Sequence, residues 1–152
     1  MRPPLPPCGL YRTTGQIGSI PAGRLVYFHN HGDPGAGLYL PSGFAGNRVR
    51  LQERGTLLPS PEDVRWLEPL PPEGFYRVTE KFFCCEQRCR AFDPDLLVQL
   101  GYNVAGEAIV FVPEIVDGML AIPEQGNRIE HANFARLKLL KVAVQDRVGV
   151  AH

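Results

Sequence analysis

The segment Pro4-Leu5-Pro6-Pro7-Cys8-Gly9-Leu10-Tyr11-Arg12 returns as Pro69-Leu70-Pro71-Pro72-Glu73-Gly74-Phe75-Tyr76-Arg77, with seven of nine positions identical at an offset of 65. A proline-rich nonamer could recur through composition alone, so what matters is whether the alignment continues downstream. It does. Leu25 to Phe28 aligns with Leu97 to Leu100, and Leu38 to Pro41 with Val110 to Pro113, both at an offset of 72. Gly55 then meets Gly126 and Leu58 meets Ile129 at 71, and Leu67 meets Leu137 and Leu70 meets Leu140 at 70. The slow drift is what small loop insertions and deletions produce. The chain of 152 residues is therefore expected to hold two diverged copies of one unit, residues 4–68 and 69–144, followed by a tail, 145–152.

The copies differ most between the first and second apolar runs. Copy one has twelve residues there, Thr13 to Arg24, and copy two has nineteen, Val78 to Leu96. Three of the four cysteines, Cys84, Cys85 and Cys89, fall inside this longer segment, 78–96.

Each copy reads as short strands. Gly9 to Arg12 or Gly74 to Arg77, then Leu25 to His29 or Leu97 to Gly101, are rich in β-branched and aromatic residues and bounded by turn formers. His31 to Gly37 is too rich in glycine for a helix and suits a hairpin leading to Leu38–Leu40. Arg48 to Gln52 alternates polar and apolar residues, as a strand with one wet face should. Ser60-Pro61-Glu62-Asp63 has the order of a helix start, which predicts one helical turn before Val64 to Leu70. Residues 132–136 could form a corresponding turn, with Leu137 to Val144 as the closing strand.

About five short strands per copy, a glycine-rich hairpin and a late helical turn resemble the SH3-like small barrel. The resemblance implies an all-β chain of two tandem SH3-like barrels with short helical turns, a fold that many unrelated binding domains share. It carries no family-specific motif, and the acidic and paired-tryptophan pattern of proline-binding SH3 domains is absent.

Composition narrows the function classes. With 44% hydrophobic and 21% charged residues the chain should pack a globular core. Sixteen Lys and Arg balance sixteen Asp and Glu, which argues against a nucleic-acid partner. No stretch has the length and apolarity of a secretion signal or a membrane span, so a cytoplasmic setting with reduced thiols is expected.

Two places could carry chemistry. Cys84, Cys85 and Cys89 lack the C-x2-C spacing of structural zinc sites, and vicinal cysteines on a strand point to opposite faces, which disfavours one shared metal. A zinc site would need a further ligand from His29, His31, His131 or Cys8. Otherwise Phe82 and Cys84 fill the core and Cys89 sits in a loop, or the thiols are redox active with Arg88 or Arg90 favouring thiolate. His29 and His31 lie on one face at a strand end, suited to a metal or to an acid-base pair, or simply to a solvated hairpin end. Copy two has Gly101 and Asn103 there, so any role of these histidines belongs to copy one.

There is no phosphate loop, no nucleophile elbow and no paired carboxylates with a matching base. The expectation is a non-enzymatic interaction or scaffolding protein with another protein as partner. Its binding residues are sought among His29, His31, Asp33, Trp66, Phe83 and Arg88. The alternative is a zinc- or thiol-dependent site joining Cys84, Cys85 and Cys89 to His29 and His31, as a structural metal or a small hydrolase.

Overall fold

The computed structural model describes residues 4–32 and 34–145. Among these residues the chain is all-β apart from two short 3-10 turns. In the first half the strands are β1 (Gly9–Thr13), β2 (Leu25–His29), β3 (Gly37–Tyr39), β4 (Pro41–Ala45), β5 (Arg48–Leu51), β6 (Thr56–Leu57) and β7 (Leu67–Pro69). In the second half they are β8 (Gly74–Val78), β9 (Phe82–Phe83), β10 (Ala91–Phe92), β11 (Leu97–Tyr102), β12 (Ala108–Phe111), β13 (Glu114–Val116), β14 (Met119–Ala121), β15 (Asn127–Arg128) and β16 (Leu137–Leu139).

Two five-stranded antiparallel sheets carry the fold, ordered β6-β3-β2-β1-β7 and β15-β12-β11-β8-β16. Neither ladder closes on itself among the described residues. The offsets that align the sequence reappear as strand register. Gly9 faces Phe28 as Gly74 faces Leu100, and Phe28 faces Leu38 as Leu100 faces Val110. Leu38 faces Thr56 as Val110 faces Asn127, and Tyr11 faces Pro69 as Tyr76 faces Leu139.

Finer features recur as well. Tyr11 Oη donates to the Pro7 carbonyl and Tyr76 Oη to the Pro72 carbonyl, both at 2.6 Å. The repeated prolines thus end in a carbonyl that satisfies a tyrosine hydroxyl buried at the start of each sheet. The 3-10 turns Pro61–Trp66 and His131–Arg136 each run directly into the closing strand. Ser60 occupies the N-cap position but makes no capping hydrogen bond, its hydroxyl pairing instead with Glu62.

The core has two clusters. Tyr11, Ile17, Ile20, Val26, Phe28, Leu38 and Leu67 form the first. The second is larger and includes Val78, Phe82, Phe92, Val98, Leu100, Val110 and Ile129. Leu25, a first-half residue, is fully buried in the second cluster, so the clusters do not respect the boundary between copies. Its amide donates to the Val104 carbonyl at 2.8 Å, and Arg12 Nε to the Ala105 carbonyl at 2.9 Å.

Two hairpins stand apart from the main sheets, β4–β5 and β13–β14, at matching places in the two halves. Each turns through two residues with positive φ, Gly46–Asn47 and Asp117–Gly118, the geometry of tight hairpins. The longer segment of the second half forms a third, the β9–β10 ribbon.

Candidate functional site

The histidines and the three inserted cysteines do not form one set. His29 and His31 gather with Cys8, and Cys84, Cys85 and Cys89 gather with one another, the ligand atoms of each trio lying within 4.8 Å. The first trio follows from register: Gly9 pairs with Phe28, so the preceding Cys8 stands across from His29. Cys8 Sγ lies 3.7 Å from His29 Nδ1 and 3.8 Å from His31 Nδ1. The two imidazoles pack at 4.0 Å between centroids, their common face being the one expected of residues two apart on a strand. Cys8 was legible only as a spare ligand, because nothing local in sequence marks which strand lies beside β2.

The second trio corrects the expectation from strand geometry. β9 ends at Phe83, so Cys84 and Cys85 sit in the turn of the ribbon rather than on alternating strand faces. Their sulfurs approach to 3.7 Å. Phe82 and Cys84 are buried and Cys89 is exposed, as core filling and a loop position predict. Backbone N–H groups of Cys89 and Gln87 hold the Cys85 thiol below its ordinary value, with the Cys84 side chain adding to the effect. The neighbouring Cys85 pushes the Cys89 thiol up. Arginine is not the cause. The Arg88 guanidinium lies 4.9 Å over the Phe83 ring, and Arg90 reaches Asn127 and the Phe92 ring. The histidine that shares a cavity with Cys84 and Cys85 is His131, in a space of about 420 Å³ also lined by Arg12, Glu107 and Arg128.

The remaining candidates have local partners. The Trp66 ring covers Gly15, where an added Cβ would come within 2.5 Å of it, and the Arg65 guanidinium lies 4.8 Å from the ring centroid. Trp66 therefore belongs to first-half packing. Phe83 carries Arg88 on its ring and accepts Asn133 Nδ2 at its carbonyl, 3.4 Å away. Asp33 lies outside the described residues.

Sequence reasoning missed the contrast between the two equivalent hairpins. The first is seated on the second half. Asn47 Nδ2 donates to Gln99 Oε1 at 3.0 Å and to the Pro123 carbonyl at 2.9 Å, and Gln99 Nε2 donates to the Gly46 carbonyl at 3.1 Å. The Val49 amide donates to Glu73 Oε2 at 2.8 Å. Val49 packs against the second core, and Gln99, 4% exposed, is buried with its partners satisfied. Among the described residues the second hairpin has no such seat. Ile115 and Met119 are 70% and 73% exposed, and Val116, Leu120 and Ile122 are exposed too. Ile115 pairs with Leu120 and Val116 with Met119, so both faces of the ribbon are apolar and open.

Comparison with family models, curated proteins and solved structures finds no match to this chain.

Proposed function

We propose that the chain is a non-enzymatic interaction module of two SH3-like units in tandem, 4–68 and 69–144, whose second-unit hairpin, β13–β14, docks on another protein. Support for the SH3-like reading comes from the shared strand order, the hairpin excursion between the third and fourth sheet strands, and the 3-10 turn before the closing strand. Support for docking comes from the four large apolar side chains on a hairpin whose counterpart is already seated. That counterpart indicates the kind of partner: a β-sheet face with a polar acceptor for an edge amide and a position without Cβ where the hairpin backbone can close in. In the second half these are Glu73 and Gly101; an added Cβ at Gly101 would lie 2.7 Å from the Asn47 carbonyl oxygen.

A second copy of this chain does not offer the same seat. Its first half carries His29 where Gly101 stands and Cys8 where Glu73 stands. Head-to-tail chaining by repetition of the internal contact is thereby opposed, and a different protein is the expected occupant. A photoreactive side chain in place of Met119, in the cells that make the protein, should give one discrete cross-link to a different polypeptide. Ile115→Asp should abolish it while leaving the melting temperature unchanged. Cross-links only between copies of this chain, or turnover of a substrate by purified protein, would sink the reading.

The close sulfurs of the ribbon support a second, narrower reading, in which Cys84, Cys85 and Cys89 form a thiol centre opening to the His131 cavity. Elemental analysis of protein prepared without chelator tests it, since a chain lacking bound metal and showing no preferential reactivity at Cys85 would remove it.

A further inference from the structure

We propose that Cys8, His29 and His31 form a binding site for a divalent transition metal of the zinc class, with three protein ligands and a fourth position open to solvent. The geometry is close to what such an ion requires. Zinc held tetrahedrally at about 2.3 Å from sulfur and about 2.0 to 2.1 Å from nitrogen keeps the two donors about 3.5 Å apart. The Cys8 Sγ to Nδ1 separations of 3.7 Å and 3.8 Å need change by only a few tenths of an ångström. One thiolate with two imidazoles is a borderline-soft donor set, which selects zinc, cobalt or nickel over magnesium or calcium.

The surroundings hold the ligands in place. The Asn30 backbone amide donates to Cys8 Sγ at 3.3 Å, which fixes the place of the sulfur. The Asn30 side chain is anchored by donating to the Pro6 carbonyl at 3.1 Å, and its Oδ1 lies 2.8 Å from His31 Nδ1 and 3.2 Å from Cys8 Sγ. Without metal, Asn30 Oδ1 accepts a hydrogen bond from the Cys8 thiol. On binding, the thiol proton leaves to solvent, the sulfur electron pair bonds the ion, and His31 moves its proton to Nε2 so that Nδ1 can ligate. Asn30 Oδ1 then loses both donors and its side chain turns away, while the Asn30 backbone amide stays on the sulfur.

The location points the same way. His29 also lines a cavity of about 290 Å³ with Tyr27, Tyr39, Leu51 and Gln52. In the second half the corresponding face is covered by the first hairpin, with Gly101 and Glu73 at the places of His29 and Cys8. Among the described residues, the ligand trio thus occupies the one of two equivalent seats that no hairpin fills, where an open coordination position is reachable. The inference is independent of the docking reading, which concerns β13–β14.

Titration with Co(II), and with Zn(II) against a chromophoric chelator, tests the site in full-length protein whose Cys84, Cys85 and Cys89 are all changed to Ser. One metal should bind, with tetrahedral d–d bands and a single-thiolate charge-transfer band. Adding Cys8→Ser should remove that band, and Cys8→Ser or His29→Gln should each weaken binding by on the order of 100-fold. His31→Ala, at an exposed position, gives the same loss with the least risk to folding. Binding that disappears with the three serines alone, or survives Cys8→Ser unchanged, overturns the proposal.

Discussion

Gly101 and His29 stand at the same register position of two matching sheets and face opposite demands. At Gly101 a carbonyl oxygen comes so close that a Cβ would sit 2.7 Å from it, and the blocking atom is backbone, which has little room to yield. Gly101→Ala must therefore lift the hairpin from its seat or strain β11. Overpacking of this kind costs about 1–3 kcal/mol, which for a chain of this size lowers the melting temperature by roughly 3–10 °C. Gly43→Ala is the control, because nothing lies within 4 Å of an added Cβ there. Equal melting of the two variants would show that the hairpin is not held as described. The sequence marks both positions as differences between copies, but a glycine facing a histidine in an alignment does not say which of the two is crowded. Tyr11 and Tyr76 show the reverse. Their conservation between copies marks the hydroxyl-to-carbonyl bonds that close on Pro7 and Pro72.

Strands were legible where apolar runs recur, because a two-residue period and a shared register leave few ways to pair them. The hairpin β13–β14 has no such mark in the sequence. Met119, Leu120 and Ala121 lack the polar alternation that marks Arg48 to Gln52, and none of them faces a core. The ribbon β9–β10 was located only as an insertion, and the sulfurs of Cys84 and Cys85 meet because the strand stops one residue before them. That turn has a chemical consequence. Backbone amides from Cys89 and Gln87 lower the Cys85 thiol, whereas Cys89 is raised by its neighbour. Thiolate is the alkylating species, so Cys85 should label at lower pH than Cys89. Peptide mapping after brief iodoacetamide treatment across a pH series reads this directly. A half-labelling pH for Cys85 equal to or above that of Cys89 contradicts the proposed amide cradle, and unfolding in denaturant should erase the difference.

At the scale of the molecule, the repeated strand order was legible in the sequence and the joining of the two halves was not. Leu25 aligns with Leu97 as one strand residue with another, yet Leu25 is buried in the second core and its amide bonds Val104. Together with Arg12 and the first hairpin, this predicts one cooperative unfolding transition instead of two. Glu73 gives a way to test the junction. Its carboxylate accepts the Val49 amide in a half-buried place, and burial raises it above its ordinary value of 4.5, outweighing that amide and the charge of Arg48. A raised carboxyl binds its proton more tightly in the folded chain than in the unfolded one. The stabilisation from that proton is complete below the unfolded value and is lost as pH rises through the folded one. At pH 7 the junction therefore encloses a charge that it disfavours. Glu73→Gln removes the charge and keeps an oxygen for Val49, so the variant should melt above the parent at pH 7. The gap should close below about pH 4, where Glu73 is itself neutral. Calorimetry at the two pH values separates this from a general effect of acid, because every other carboxyl titrates alike in both proteins. A variant that melts lower at pH 7 would mean that the attraction of Arg48 outweighs desolvation, and that the halves are joined by charge rather than in spite of it.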